Sequence, residues 1–209
     1  MSPVRLNGST SGYTELSAPA VANNNSIALP TGNGSAYQIL RNGATAGSLE
    51  YADNLVLGTL QNSTSGTSID FTGIPSWVKR VTVMFNGVSN SGTSTFLLQL
   101  GAGSIDSTST YSGAVSFGGS GATDWNTTGF RLVQSATLAG ALSYAGVATI
   151  VLLGTNIWCV AGTLSPNGTN ALSSMSGSKT LSGTLDRVRI TTVSGTDTFD
   201  AGSINILYE

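Results

Sequence analysis

Short runs in which apolar and polar residues alternate recur along most of the chain, and this pattern restricts the fold more than any other feature. The run VKRVTVMF places Val81, Val83 and Phe85 on one side of a strand, because successive side chains point to opposite faces. The run SINILYE repeats this period at residues 203–209. Turns rich in Gly, Ser and Asn separate such runs. We therefore predict an all-β fold with a jelly-roll-like β-sandwich.

One hairpin can be predicted residue by residue. The stretch YAGVATIVLLGTNIWCVAGTL contains two apolar runs, and Gly154, Thr155 and Asn156 lie between them as the expected turn. Cys159 is the single cysteine of the chain and lies in the second run. Free cysteine is usually buried, so we expect an inert, buried thiol that forms neither an intramolecular disulfide nor a cysteine-based metal site.

The composition supports the same fold class and excludes several partners. Charged residues make up 9% of the chain, hydrophobic residues make up 40%, and the net charge is -2. This combination is unlike a disordered chain, and Thr, Val and Ile favour strands. The basic residues are scattered, so no nucleic-acid interface is expected. The chain contains no apolar run long enough for a membrane helix, and its start has no apolar signal segment. We expect neither membrane insertion nor secretion.

The first 54 residues differ from the rest, because their large apolar side chains occur singly between Gly, Ser, Asn and Pro. Such a segment cannot bury a core of its own, since isolated short strands are marginal in water. We predict an extended N-terminal attachment and oligomerisation segment over residues 1–54, followed by the β-sandwich domain over residues 55–209. The residues expected at subunit contacts are Leu16, Ile27, Leu29, Ile39 and Leu40.

The inventory of reactive side chains argues against catalysis. The sequence has no histidine, which removes Ser-His-Asp and Cys-His arrangements and the commonest metal ligand. Only a pair of carboxylates could still perform acid–base chemistry. Asp197 and Asp200 are close in sequence, but their neighbours SGTDTFDAGS indicate turn residues that hydrogen bond to the local backbone. We expect no enzyme activity, no catalytic or metal site and no cofactor.

The best candidate for a binding site is the loop SFGGSGATDWNTTG, residues 116–129. A tryptophan in a Gly-rich segment between strands can offer an apolar ring to a sugar, while short polar side chains read its hydroxyl groups. Asp124, Trp125 and Asn126 would form such a reader, and Tyr111 is nearby in sequence. The alternative is that Trp125 folds back over the edge of the sandwich and fixes the loop.

Three stretches carry a resemblance to a known group of proteins. Residues 10–40, with Leu29-Pro30, Gly34, Gln38 and Leu40 in order, resemble a module of tailed-bacteriophage fibre and other virion proteins. Residues 66–89 and 182–209 are similar to a C-terminal domain of phage tail-fibre and tail proteins. The region between them is similar only more loosely.

The resemblance implies a virion structural protein of the tail that displays a β-sandwich, usually as a homotrimer, for adsorption to the host surface. Its partners would be its own copies, other virion proteins and a host cell-surface glycan. The length of 209 residues fits a short spike or a tail-tip component as well as a fibre. Two alternatives remain open, namely a capsid decoration or head-fibre protein and a carbohydrate-binding module.

Overall fold

A computed structural model describes residues 4–7, 10–16, 26–35, 38–118, 123–134, 142–168 and 170–209. Within these ranges the secondary structure consists of strands, and the chain forms two compact units, Met1–Asn54 and Leu55–Glu209. No helix in the described ranges is long and apolar enough to cross a membrane. The prediction of an all-β fold is confirmed.

The first unit consists of two small hairpins. Its strands are β1 (Val4–Asn7), β2 (Tyr13–Leu16), β3 (Ile39–Asn42) and β4 (Leu49–Ala52). Strand β1 pairs with β2 and β3 pairs with β4, both antiparallel, and Ala28 forms an isolated bridge with Ser48. None of the residues of this unit whose burial is described is buried. The isolated leucines and isoleucines of the sequence therefore do not close into a core within this unit.

The second unit contains two antiparallel sheets. Its strands are β5 (Val56–Leu57), β6 (Gln61–Asn62), β7 (Ser68–Thr72), β8 (Arg80–Asn90), β9 (Phe96–Ala102), β10 (Ser104–Ile105), β11 (Ser112–Phe117), β12 (Thr123–Asp124), β13 (Phe130–Arg131), β14 (Tyr144–Gly154), β15 (Ile157–Pro166), β16 (Ser173–Thr180), β17 (Arg187–Thr192) and β18 (Phe199–Tyr208). The large sheet has the order β12-β11-β16-β15-β14-β8-β18-β5, with β6 also on β18. The small sheet has the order β10-β9-β17-β7, with β13 on β9.

The inner faces of the two sheets share one hydrophobic core, so the prediction of a β-sandwich is confirmed. Strand β8 contributes Val81, Val83 and Phe85 on the expected face, and β17 contributes Val188 and Ile190. Three aromatic rings pack at the centre of the core. Phe96 lies edge-on to Tyr144 at 5.6 Å between ring centroids and stacks on Phe199 at 5.9 Å.

The predicted hairpin is formed by β14 and β15, which pair along their length. Asn156 in the turn has a φ of 57°, a left-handed conformation that asparagine tolerates better than most residues. The expectation of a buried thiol was wrong, because Cys159 is only half-buried. It lies between the buried residues Trp158 and Val160 and therefore faces out of the sandwich.

Strand β18 begins earlier than the run SINILYE indicated, and Asp200 belongs to it instead of to a turn. The strand pairs with β8 through two register shifts. Gly202 lies at the second shift with a φ of +92°, and a Cβ atom there would approach the Gly87 carbonyl oxygen to 2.4 Å. Glycine at this bulge lets the strand continue past a point where the alternation of side chains is interrupted.

Candidate functional site

The end of the predicted binding loop is held by two hydrogen bonds within its own turn and by two from the sandwich. The Thr128 N–H and hydroxyl groups donate to Asn126 Oδ1 at 2.8 and 2.7 Å, which closes a short turn. Gln99 Nε2 donates to the Thr128 carbonyl oxygen at 2.9 Å. The Tyr111 N–H donates to the Thr127 carbonyl oxygen at 3.0 Å. Residues 126–128 therefore form a rigid support directly after Trp125.

Trp125 is presented at the surface by this support, with 63% of the residue exposed. It borders a crevice that also includes Ala114 on β11 and Ser176 on β16, at the edge of the large sheet. The crevice has a volume of about 10 Å³, which holds about one water molecule. A ligand would thus meet the exposed ring and the surrounding surface, since no cavity of ligand size adjoins Trp125 at this crevice.

The other members of the predicted reader have different surroundings. The oxygen of Asn126 is used within the turn, although the side chain is only half-buried. Asp124 lies in β12, where it pairs with Val115, but its side chain lies outside the described part of the structure, as do residues 119–122 of the loop. Of the predicted reader, Trp125 and Asn126 are therefore the members at the surface of the described structure.

Tyr111 does not belong to the surface of this loop, and its proposed contact with a ligand has to be corrected. It is 3% exposed, and its ring packs edge-on against Phe130 at 4.9 Å between centroids. Its hydroxyl oxygen accepts a hydrogen bond from the Leu100 N–H at 2.8 Å, and the hydroxyl donates to the Asp106 carbonyl oxygen at 2.8 Å. Burial raises the pKa of Tyr111 above its ordinary range. The residue is part of the core.

A buried cation beside Tyr111 was not predicted from the sequence. Lys179 is 2% exposed, and its Nζ atom lies 2.8 Å from Asp106 Oδ2 and 4.6 Å from the centroid of the Tyr111 ring. The ammonium group also donates to the Thr108 hydroxyl at 3.1 Å and to the Thr110 hydroxyl. Three acceptors and one aromatic face therefore surround the charge, as burial of a lysine requires.

The surroundings of Asp106 favour its ionised form. Burial alone raises the pKa of Asp106, but the hydrogen bonds from Lys179 and Thr108 outweigh it and hold the pKa below its ordinary value. The charged atoms thus stabilise one another and fix residues 106–110 to β16. The sequence held one signal for this cluster. In the run SSMSGSKT, Lys179 lies four residues after the apolar Met175, so both side chains are on the same face of the strand. Because Met175 is expected to face the core, this spacing indicates that Lys179 points inward as well.

The three acids near the end of the chain do not form a common site. Asp186 accepts hydrogen bonds from the Gly103 N–H at 3.1 Å and from Arg187 Nε at 2.8 Å. Asp197 accepts from the Ser94 N–H at 2.9 Å, and Asp200 accepts from the Ser89 hydroxyl. Among the described residues, no group of three or more His, Cys, Asp or Glu side chains could hold a metal ion.

The residues predicted at subunit contacts lie in the first unit and expose between 43% and 74% of their surface. They are Leu16 in β2, Ile27 and Leu29 near the Ala28 bridge, and Ile39 and Leu40 in β3. Comparison of the chain with protein families, with curated proteins and with solved structures finds no match.

Proposed function

We propose that the chain is a structural protein of a bacteriophage virion, located in the tail as a fibre, spike or tail-tip component, that displays its β-sandwich for adsorption to the host surface. The proposal is supported by the three stretches of sequence that resemble virion proteins and by the sandwich fold to which two of them belong. No catalysis is assigned to the protein, and its partners are other virion proteins, a host glycan and its own copies, as a homotrimer.

The observation that carries adsorption is the exposure of Trp125 on a fixed support. The exposed part of an aromatic ring offers flat apolar area, and the apolar face of a sugar can stack on such an area. Because the backbone after Trp125 is held by hydrogen bonds from Thr128, Gln99 and Tyr111, binding would order little of the chain. Asn126, Thr127 and Thr128 follow Trp125 directly in sequence and carry short polar groups.

The first unit supports the oligomeric part of the proposal. Its described residues have no buried core, and Leu16, Ile27, Leu29, Ile39 and Leu40 expose apolar surface to solvent. Burial of such side chains contributes about 25 cal/mol per Å² of apolar surface. Contacts with other copies or with a neighbouring virion protein would therefore stabilise the segment.

The test is the substitution Trp125→Ala, measured as adsorption of virions to host cells and as the melting temperature of the isolated protein. We expect adsorption to fall at least about tenfold with an unchanged melting temperature, because the ring lies outside the core. Trp77→Ala is the matched control, since Trp77 is 40% exposed, lies outside this loop and packs against Tyr208 at 6.0 Å between ring centroids. Equal adsorption of the wild type and the Trp125 variant would refute this role of the loop.

A further inference from the structure

A cavity of about 310 Å³ lies beside the turn of the β14–β15 hairpin. Its walls come from this turn, from the start of β15 and from the segments that precede β8 and β17. We call it the hairpin cavity. Its volume is at the lower end of the roughly 300–1,000 Å³ that small-molecule sites occupy, so it suits a ligand of about one sugar ring.

Backbone hydrogen bonds join the walls of the hairpin cavity. The Leu152 N–H donates to the Lys79 carbonyl oxygen at 2.8 Å, which fixes the segment before β8 to β14. The Leu181 N–H donates to the Asn156 carbonyl oxygen at 2.9 Å, which fixes the hairpin turn to the residues after β16. The walls are therefore formed before a ligand arrives, and binding would order little of the chain.

Trp158 lines the hairpin cavity and contributes an indole N–H that lacks an acceptor. The residue is 3% exposed, and its Nε1 atom has no hydrogen-bond partner in the described part of the structure. Its cross-strand neighbours, Leu152 on β14 and Lys179 on β16, offer none, because a leucine side chain is apolar and an ammonium group only donates. A buried indole N–H usually has a partner, and leaving it without one costs free energy. An acceptor atom of a ligand in the cavity would remove this cost.

The hairpin cavity also carries a positive charge. Lys79 lines it, is exposed and forms no ion pair with a described residue. Of the described residues that line the cavity, none is acidic. The Glu209 carbonyl oxygen accepts from the Lys79 N–H, but the Glu209 side chain pairs with Arg80 and does not line the cavity. This distribution of charge favours an anionic ligand.

We propose that the hairpin cavity binds a sugar acid, that is, a sugar ring that carries a carboxylate. The ammonium group of Lys79 pairs with the carboxylate, and the Trp158 N–H donates to an oxygen of the same ligand. The Asn156 amide and the hydroxyl groups of Thr155 and Thr184 line the same cavity and bind the hydroxyl groups of the ring.

The remaining walls favour a ring over a simple anion. Val78, Leu152 and Leu185 give the hairpin cavity an apolar side, which matches the apolar face of a sugar ring. A small anion such as acetate could pair with Lys79, but it would leave this apolar side and the threonine hydroxyl groups without contacts. Charge, hydroxyl groups and an apolar face occur together in a sugar acid.

The proposal is tested by nuclear magnetic resonance of the 15N-labelled full chain, with sodium glucuronate as the probe. The chain has three tryptophans and thus three indole N–H signals, and Trp158→Phe identifies the signal of Trp158. We expect glucuronate to shift this signal, because its N–H gains an acceptor. Glucose should bind at least about tenfold more weakly, because it offers Lys79 no charge. A Trp158 signal that does not move at millimolar glucuronate would overturn the proposal.

Two substitutions separate the contacts to the ligand. Trp158→Phe keeps an aromatic ring and removes the N–H, so it should weaken glucuronate binding at least about tenfold and leave the melting temperature unchanged, since no hydrogen bond of the folded chain is lost. Lys79→Gln should also weaken binding at least about tenfold, and this exposed position serves if Trp158→Phe does not fold. Arg189→Gln is the matched charge control, because Arg189 does not line the cavity. Equal affinities of Lys79→Gln and Arg189→Gln would refute the site.

This inference does not rest on adsorption through Trp125, and the experiments separate the two. Trp125 does not line the hairpin cavity, so Trp125→Ala should lower adsorption and leave the affinity for glucuronate unchanged. A sugar acid can be free or part of a polysaccharide, so a hyaluronan tetrasaccharide, which contains glucuronate, is titrated beside the monosaccharide. Binding of the tetrasaccharide at least about tenfold tighter would identify a polysaccharide as the source, and equal or weaker binding would identify the free acid.

Discussion

The two sheets of the sandwich differ in where they hold their ion pairs. The small sheet carries its cations outward, where Arg189 forms two hydrogen bonds with Asp70 at 2.6 and 2.8 Å and Arg187 forms two with Asp186 at 2.8 and 3.0 Å. The large sheet has an exposed pair of this kind, Arg80 with Glu209, but it also carries one cation, Lys179, inward. An outward pair keeps most of its hydration, whereas an inward cation must find all of its partners within the protein.

The two sheets also hold two kinds of ion pair, one exposed to solvent and one buried. Arg189 and Asp70 each expose about a third of their side chains, and the hydrogen bond to Asp70 raises the pKa of Arg189. Exposed pairs of this type contribute little to stability, because water and salt screen them. Lys179 is excluded from water, so its pairing with Asp106 decides whether burial of the charge is tolerated at all.

The largest loss of stability is therefore expected when the buried pair of Lys179 and Asp106 is broken. Asp106→Ala should reduce the free energy of unfolding by about 3 kcal/mol, because it leaves the Lys179 ammonium group buried with only hydroxyl acceptors. Asp70→Ala on the small sheet should cost less than about 1 kcal/mol. Urea denaturation of both variants measures the two values. Equal losses would show that the buried and exposed pairs do not differ in the way described.

A second substitution examines the surroundings of the buried cation. Tyr111→Phe keeps the aromatic ring under Lys179 but removes the hydroxyl that serves the Leu100 N–H and the Asp106 carbonyl oxygen. We expect a loss of about 1–2 kcal/mol in the free energy of unfolding, the cost of leaving buried polar groups unsatisfied. Tyr208→Phe on the half-buried end of β18 is the control and should change stability by less than about 0.5 kcal/mol. A loss no larger than that of the control would contradict the role of the hydroxyl.

The smallest expected effect is the loss of folding stability at acid pH that follows from protonation of Asp106. The pKa of Asp106 lies below its ordinary value of 3.8 in the folded chain, so the unfolded chain takes up this proton at a higher pH. The resulting stabilisation is fully present above about pH 4 and is lost as the pH falls through the folded pKa. Urea denaturation at pH 6 and pH 3 should show this loss.

The two sheets should differ here as well. The pKa of Asp186 is also lowered, chiefly by its hydrogen bond with Arg187, but its side chain is more than a third exposed. Relative to the wild type, Asp106→Asn should flatten the dependence of stability on acid pH, whereas Asp186→Asn should leave most of it in place. The reverse order would assign the acid sensitivity to the small sheet.

The sequence predicted the parts of the fold in which one side of a strand is apolar and the other is polar. In β8 and β17 the period of two identifies the buried face, and Val83 and Ile190 are buried as expected. In β14 the run GVATIVLLG is apolar on both sides, so periodicity cannot decide which side faces the core. The run IWCV of β15 is also apolar on both sides, and the outward direction of Cys159 was missed for this reason.

The candidate site was predictable only where local sequence controls exposure. Trp125 follows a Gly-rich stretch and is exposed, which the loop pattern indicated. Tyr111 is close to it in sequence, yet its ring and hydroxyl are buried against Phe130 and Leu100. Lys179 and Asp106 are far apart in sequence, and only the pairing of β11 with β16 and the packing of the sheets bring them together. Such contacts depend on tertiary structure, which a single sequence does not reveal.

The pairing of β8 with β18 has a consequence for the order in which the chain folds. Residues of these strands that hydrogen bond to each other, such as Ser89 and Asp200, are 111 positions apart in sequence. The edge of β8 therefore stays open during synthesis until Phe199–Tyr208 has been made. Such non-local pairing slows folding, and an open edge of this length can accept a strand from a neighbouring nascent chain. Exchange of β18 between chains is thus the misfolding route that synthesis at high local concentration would favour.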